Sequence, residues 1–203
     1  MSAIDTIKKY RLVPVVVFNS LDEVRPTLGA MCDGGLPIAE ITFRTACAEE
    51  AIKIAVNEFP QMLTGAGTVI NTKQAQAAFE AGAKFIVSPG FSESVADFCK
   101  EKGLPYFGGC VTPTEIMTAI EHDCTVIKFF PCSNYGGIKT MKALSAAFPG
   151  VTFMPTGGVN EDNISELLSW DKITAVGGSW MVKGTAEEIK EKCRKAVELA
   201  KNN

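Results

Sequence analysis

Histidine is almost absent from this chain of 203 residues, which contains His122 and no other. A zinc site built on several histidines is therefore excluded, and so is the HExxH helix of metalloproteases. A nucleophile activated by histidine, as in Ser-His or Cys-His enzymes, would have to use His122 itself. Nucleophilic catalysis with a histidine base thus depends on the position of one side chain.

Paired cysteines and long apolar segments are also missing. The seven cysteines form no CxxC pair and their number is odd, which favours reduced thiols packed as small apolar residues in a cytosolic protein. The first apolar run, Leu12–Phe18, is too short for a membrane span or a signal sequence. We therefore expect a soluble, cytoplasmic protein that does not contact a membrane.

The chain has no excess of positive charge. Its formal net charge is −3, and such a surface does not attract phosphate backbones, so we predict no nucleic-acid partner. Hydrophobic residues make up 46% and charged residues 21% of the chain, which is ordinary for a globular protein and excludes a disordered one. The length suits one domain whose core needs neither disulfides nor metals.

Short apolar, β-branched runs alternate with helical patterns in eight successive units. Such runs between helices indicate a parallel sheet covered on both faces. The units can close into a (β/α)8 barrel, or they can form an open doubly wound sheet, although no GxGxxG follows the first strand. We predict an α/β fold, a (β/α)8 TIM barrel in a single domain over residues 1–203. The predicted strands cover 13–18, 38–43, 62–66, 84–88, 105–110, 125–130, 151–155 and 173–176, and the helices that follow begin near 20 and then cover 48–59, 72–81, 93–102, 114–122, 138–148, 161–170 and 186–200.

The barrel prediction says where reactive groups belong. They lie at the carboxyl ends of the strands and in the loops that follow, whereas the opposite end serves stability. His122 ends a predicted helix and precedes the sixth strand, so we place it at the stability end and do not expect it to be catalytic.

A lysine inside the sixth predicted strand is the most informative single residue. Strand alternation places Lys128 on one face with Val126 and Phe130. Burial among apolar neighbours disfavours the charged ammonium, and a neutral amine can form a Schiff base with a carbonyl compound. The alternative is a structural lysine that reaches solvent or pairs with a carboxylate.

The end of the second predicted strand is also polar. Glu40, Thr42 and Arg44 share one face by alternation, so Glu40 and Arg44 are expected to point into the barrel. Together with Lys128 they supply a carboxylate for proton transfer, an anion clamp and a nucleophile. A purely structural ion pair between Glu40 and Lys128 or Arg44 remains the alternative.

Glycine pairs follow the last two predicted strands. Thr156 is followed by Gly157 and Gly158, which we expect to open a helix, and the pair 177–178 precedes Ser179. Glycines let backbone N–H groups approach an anion, a helix N-terminus favours negative charge, and these two loops bind phosphate in many barrels. The pattern predicts a phosphorylated small-molecule substrate.

Taken in order, the motifs at the strand ends resemble the 2-keto-3-deoxy-6-phosphogluconate (KDPG) and 4-hydroxy-2-oxoglutarate (KHG) aldolase family. The likeness covers nearly the whole chain. Its motifs are EITFRT at 40–45, GAGTV at 65–69, SPG at 88–90, TPTE at 112–115, KFFP at 128–131, PTGGV at 155–159 and GGSW at 177–180.

The resemblance implies a class I aldolase, which uses a lysine Schiff base and neither metal nor cofactor. It implies that Lys128 is the nucleophile, that Glu40 moves protons with the help of a water molecule, and that the assembly is a homotrimer. The implied binding residues are Arg44 and Thr68 for the substrate carboxylate, Thr156 for hydroxyl groups, Gly157, Gly158, Gly178 and Ser179 for phosphate, and Pro89 and Phe130 as apolar walls.

The implied reaction is the reversible cleavage of KDPG to pyruvate and glyceraldehyde 3-phosphate, together with the cleavage of KHG to pyruvate and glyoxylate. Two other functions remain open on the residues alone. One is another lyase or an epimerase of sugar phosphates on a phosphate-binding barrel, and the other is a non-catalytic relative that binds sugar phosphates.

Overall fold

The computed structural model describes residues 2–202 and contains eight parallel strands that alternate with helices. The strands are β1 (Leu12–Val16), β2 (Ile38–Thr42), β3 (Leu63–Gly67), β4 (Ile86–Val87), β5 (Tyr106–Phe107), β6 (Val126–Phe129), β7 (Thr152–Pro155) and β8 (Val176–Gly178). The α-helices are α1 (Ala3–Tyr10), α2 (Val24–Asp33), α3 (Ala48–Glu58), α4 (Thr72–Glu80), α5 (Glu93–Lys102), α6 (Pro113–Glu121), α7 (Gly137–Ala147), α8 (Ile164–Leu168) and α9 (Ala186–Lys201).

The strands form a ring. Six of them pair in the order β5-β4-β3-β2-β1-β8, and β6 pairs with β7. A parallel bridge between Gly109 and Lys128 joins β6 to the segment after β5, and a bridge between Thr156 and Gly177 joins β7 to β8. The predicted (β/α)8 barrel is therefore confirmed.

Local sequence signals explain where several helices begin. At α6, the Thr112 side chain accepts a hydrogen bond from the Glu115 amide while the Glu115 carboxylate accepts one from the Thr112 amide, and Pro113 occupies the first turn. This reciprocal capping satisfies amides that have no partner inside the helix. The same arrangement starts α9, where Thr185 and Glu188 are the pair.

The sequence did not lead us to expect α1. Its start is capped by Ser2 and Asp5, and Ile4 and Ile7 lie three residues apart on one face. Ile7 is fully buried in the barrel interior, so α1 closes the end of the barrel at which the strands begin.

The eighth strand begins three residues later than predicted. The Thr174 amide still donates to the Phe153 carbonyl of β7, and only the Val176 amide reaches the β1 side by donating to the carbonyl of Arg11. The segment from Ile173 therefore crosses from one neighbour to the other before it becomes a strand.

Helix α8 is shorter than predicted and starts at Ile164 instead of residue 161. The side chain of Asn160 accepts hydrogen bonds from the amides of Asp162 and Asn163. Asparagine side chains commonly hold the backbone in a turn in this way, and here the turn delays the helix.

Two apolar clusters hold the barrel together. The larger one lies between the strands and the surrounding helices. The smaller one fills the barrel interior where the strands begin, and we call it the barrel-core cluster; it consists of Ile7, Val13, Ile38, Phe85, Val87, Phe107, Met154 and Ala175. Within residues 2–202, no helix is both long and apolar enough to cross a bilayer.

Candidate active site

The predicted nucleophile lies inside the barrel. Strand β6 places Lys128 with only 2% of its surface exposed, so the side chain does not reach solvent. Its Nζ is 3.5 Å from Oε1 of Glu40 and 5.1 Å from the ring centroid of Phe130. Barrel closure thus brings together two charged side chains that are far apart in sequence.

Glu40, on β2, is completely buried. Burial raises the pKa of its carboxyl, and the nearby charges of Lys128 and Arg44 act in the opposite direction. Neither carboxylate oxygen has a hydrogen bond from the described residues. A buried ion pair stabilises a fold only when its geometry is good and its remaining hydrogen-bonding capacity is satisfied, so a purely structural role explains this pair poorly.

A glycine on the neighbouring strand makes room for this carboxylate. Gly67 of β3 lies beside Thr42 of β2 in the strand register. A Cβ atom added at Gly67 would overlap the carboxylate of Glu40. The position of Glu40 therefore requires a residue without a side chain here.

Arg44 lies differently from the expectation that it points into the barrel. Strand β2 ends at Thr42, so strand alternation does not extend to Arg44, which is exposed in the following loop. Its Nε donates a 2.9 Å hydrogen bond to Oγ1 of Thr68. Thr68 has a φ of 56°, in the left-handed region, and such strain costs about 1–2 kcal/mol for a residue with a Cβ.

A cavity of about 360 Å³ opens above Lys128 and Glu40, at the carboxyl ends of the strands. Seven of the predicted site residues line it: Arg44, Phe130, Thr156, Gly157, Gly158, Gly178 and Ser179. Lys128 and Glu40 lie in the buried layer beneath it. Phe130 lines the cavity and is also close to Lys128.

The glycine turn after β7 is tied to the loop after β6. The Cys132 amide donates to the Thr156 carbonyl over 2.7 Å, and the Ser133 amide donates to the Gly157 carbonyl over 3.1 Å. Gly157 and Gly158 have φ values of 89° and 78°, which glycine adopts without strain. Within residues 2–202 their own amides donate no hydrogen bond, so these groups are available to a ligand.

The expectation that this turn opens a helix is wrong. Five residues separate Gly158 from α8, which is itself only five residues long. After β8 the chain forms a single 3-10 turn, Trp180–Val182. The turn therefore has no helix N-terminus beside it to add positive potential.

Thr156 is buried at the rim of the cavity. Its hydroxyl is 3.4 Å from the Met154 carbonyl, and a Cβ at Gly177 would overlap that hydroxyl. Glycine on β8 thus lets the threonine approach closely.

Pro89 is not brought to the cavity. It is half-buried after β4 and is not among the lining residues. Its carbonyl packs against the backbone of Gly109. Lys128, Glu40 and Thr68 are not among the lining residues either, so the contact of Pro89 with a substrate stays a prediction.

Five further residues line the cavity that the sequence interpretation did not identify as site residues. Val15 follows the alternation of β1, which could have revealed it, Val17 lies one residue past the end of that strand, and Val159 follows the glycine pair. Val182 and Lys183 follow β8 after an irregular turn, and no periodicity predicts which way side chains point there.

His122 lies away from this cavity. It ends α6, and its Nδ1 is 2.8 Å from Oδ1 of Asp97 while its Nε2 is 3.6 Å from Oε2 of Glu93. No group of three or more His, Cys, Asp or Glu residues within residues 2–202 could hold a metal ion.

Known proteins are similar to this chain over nearly its whole length. A family model described as KDPG and KHG aldolase matches residues 3–198. The KHG/KDPG aldolase of Escherichia coli K12 is 37% identical to the chain, and the match covers 94% of the chain and 92% of that protein.

Two solved structures agree closely with the fold. The KDPG aldolase of Legionella pneumophila, with pyruvate captured as a covalent carbinolamine intermediate, has a TM-score of 0.92 at 33% identity, covering 97% of this chain and 98% of that one. The aldolase of Zymomonas mobilis ZM4 with 3-phosphoglycerate has a TM-score of 0.91 at 33% identity, covering 96% and 94%. With the family model and the E. coli relative, these matches leave one assignment: the chain belongs to the KDPG and KHG aldolase family.

Proposed function

We propose that this aldolase cleaves KDPG to pyruvate and glyceraldehyde 3-phosphate through a Schiff base on Lys128. The observation that carries the proposal is the buried pair of Lys128 and Glu40, 3.5 Å apart beneath the cavity. A lysine in this environment can serve as a nucleophile, and the adjacent carboxylate can exchange protons with it.

The first step is attack on the ketone. The Lys128 lone pair forms a bond to C2 of the substrate, the C2 oxygen gains a proton, and the nitrogen loses one, which gives a carbinolamine. Glu40 is near enough to accept or return these protons, with a water molecule that relays them to the reacting atoms. The carbinolamine captured in the Legionella pneumophila relative supports this step.

The second step removes water. The carbinolamine hydroxyl takes a proton and leaves as water, and a protonated imine forms between C2 and Lys128. Because burial raises the pKa of Glu40, this carboxyl holds a proton more readily than an exposed glutamate and is suited to donate it.

The third step breaks the C3–C4 bond. A base removes the proton of the C4 hydroxyl, the aldehyde forms, and the bond electrons move into the protonated imine to give an enamine. Glyceraldehyde 3-phosphate departs. Protonation of the enamine at C3 and hydrolysis of the imine then release pyruvate and free Lys128.

The cavity offers partners for both ends of this substrate. We assign the carboxylate to Arg44 and Thr68, which already hydrogen-bond to each other, and the hydroxyl groups to Thr156. The phosphate is assigned to Gly157, Gly158, Gly178 and Ser179, which line the cavity, and Phe130 forms an apolar wall beside Lys128. The 3-phosphoglycerate in the Zymomonas mobilis relative supports a phosphorylated ligand.

A second activity fits the residues that bind the pyruvate part of the substrate. KHG shares with KDPG the part that becomes pyruvate, so the same lysine and carboxylate clamp would process it to pyruvate and glyoxylate. The name of the E. coli relative, KHG/KDPG aldolase, favours both activities. Comparing the kinetics with the two substrates establishes which one the chain prefers.

Other parts of the sequence interpretation stay predictions. No cofactor enters the scheme, because the protonated imine itself is the electron sink. The single domain, the homotrimer, the cytoplasmic location and the role of Pro89 follow from sequence patterns or from the resemblance. Analytical ultracentrifugation tests the homotrimer directly.

Reductive trapping tests the main proposal. The protein is incubated with pyruvate, reduced with borohydride and digested, and the added mass is located by peptide mass spectrometry. We expect the label on Lys128, none without pyruvate, and none in Lys128→Met. A folded protein that takes no label at Lys128 would overturn the Schiff-base mechanism.

A further inference from the structure

The charge lining the cavity has one sign. Within the described chain, the charged residues that line it are Arg44 and Lys183, and no carboxylate is among the lining residues. We assigned Arg44 to the carboxylate end of the substrate, where it contacts Thr68. Lys183 lies on the segment that follows Gly178 and Ser179, at the end assigned to phosphate.

Lys183 supplies charge that the backbone does not. A long helix that starts at a phosphate turn usually contributes positive potential. Here α8 is five residues long and does not begin at the glycine turn, and a single 3-10 turn, Trp180–Val182, follows β8. The glycine amides can donate hydrogen bonds, but only a side chain brings a full positive charge to this end.

The backbone of Lys183 is fixed by a hydrogen bond, whereas its ammonium forms no ion pair with the described residues. Its carbonyl accepts a 2.6 Å hydrogen bond from Nζ of Lys192 on α9. Within residues 2–202 its own ammonium makes no ion pair. Lys183 is thus held through its backbone carbonyl and is exposed to solvent.

We propose that Lys183 binds the phosphate group of the substrate and makes this enzyme favour phosphorylated over unphosphorylated 2-keto-3-deoxy acids. The proposal rests on the aldolase function argued above. A phosphate near neutral pH carries close to two negative charges, and an ammonium forms strong charge-assisted hydrogen bonds with it. An unphosphorylated substrate offers no such group, so Lys183 contributes little to its binding.

The test compares two substrates in two variants. Lys183→Met removes the ammonium and keeps most of the side-chain length. Lys190→Met is the matched control, because it removes a lysine of α9 that pairs with Glu187 and does not line the cavity. Each variant is assayed with KDPG and with unphosphorylated 2-keto-3-deoxygluconate, at low and at high salt.

For Lys183→Met we expect kcat/KM with KDPG to fall about tenfold, mostly through KM, because one charge-assisted contact is lost. With the unphosphorylated acid it should change less than twofold. The salt dependence of KM for KDPG should become shallower, and Lys183→Arg should restore most of the affinity. Inorganic phosphate, tested as a competitive inhibitor, should bind about tenfold more weakly to Lys183→Met.

Each other result has a distinct meaning. An equal loss with both substrates would make Lys183 a structural residue, and no loss with either would remove it from phosphate binding; both overturn the proposal. Pyruvate trapping on Lys128 in the same proteins distinguishes a failure of the aldolase mechanism from a failure of the Lys183 proposal. If wild-type protein fails to trap pyruvate, the aldolase mechanism is wrong, whereas normal trapping with an unchanged substrate ratio contradicts Lys183 alone.

Discussion

The two ends of the barrel are built from the same strands and differ in almost every physical respect. Where the strands begin, the interior is filled by the barrel-core cluster, and Ile7 of α1 closes it. Farther along β2 and β6 the inward positions change from Ile38 to Glu40 and from Val126 to Lys128. Two residues along a strand separate an apolar core from a buried ion pair.

This contrast shows how the fold tolerates its site. An ion pair without hydrogen bonds to the carboxylate and a left-handed Thr68 both cost stability. Apolar burial at the other end and around the helices offsets that cost. Changes at the polar end should therefore affect activity, and changes at the apolar end should affect stability.

The largest expected effect is that of Lys128→Met. We expect turnover to fall at least about a thousandfold, since the nucleophile is gone. Thermal unfolding should still show a cooperative transition, but at a lower temperature than in the wild type, because the buried Glu40 carboxyl loses its charged partner. Turnover near that of the wild type would place the chemistry on another residue.

Ile7→Ala should have the reverse pattern. Removing a fully buried side chain from the barrel-core cluster should lower the free energy of unfolding by about 2–5 kcal/mol. Urea unfolding measures that loss, and kcat per folded molecule should stay at the wild-type value. A large change in kcat with unchanged stability would mean that the two ends are not independent.

Glu40→Gln keeps the shape of the side chain and removes its ability to exchange a proton. We expect kcat to fall about a hundredfold, which a steady-state assay with KDPG measures. Because burial raises the Glu40 pKa above 4.5, the wild-type rate should fall as the pH drops through that raised value and the carboxylate becomes protonated. This acid limb should be missing in the variant; if it persists unchanged, another group causes it.

His122→Gln should have the smallest effect. The ring is away from the cavity, and its contacts with two largely exposed carboxylates contribute at most about 1 kcal/mol to stability. Turnover should stay within twofold of the wild type. A marked loss of kcat would contradict the functional separation of the two barrel ends.

The sequence predicts the parts of this molecule that depend on periodicity. The alternation of apolar runs and helices identifies the barrel, and strand parity brings Glu40 and Lys128 to the same interior layer. Barrel closure then juxtaposes them, although no local pattern connects them. Residues within strands are predictable because each neighbour constrains the next.

The missed features lie where that constraint ends. Arg44 follows the last residue of β2 and is exposed while it lines the cavity, and Lys183 follows a 3-10 turn. The late start of α8 depends on the side chain of Asn160. Helix α1 has a visible apolar spacing, but its place is decided by the open barrel end that Ile7 fills. Such positions depend on tertiary contacts that a linear pattern does not contain.

The reacting groups lie on opposite sides of two seams in the barrel. Strands β6 and β7 pair with each other and meet the other six strands through isolated bridges. Lys128 and the turn at Gly157 lie on one side of these seams, while Glu40 and Arg44 lie on the other. At the seam next to Lys128, its amide donates to the Gly108 carbonyl and its carbonyl accepts from the Cys110 amide. The 3.5 Å gap between amine and carboxylate therefore depends on the hydrogen bonds across these seams.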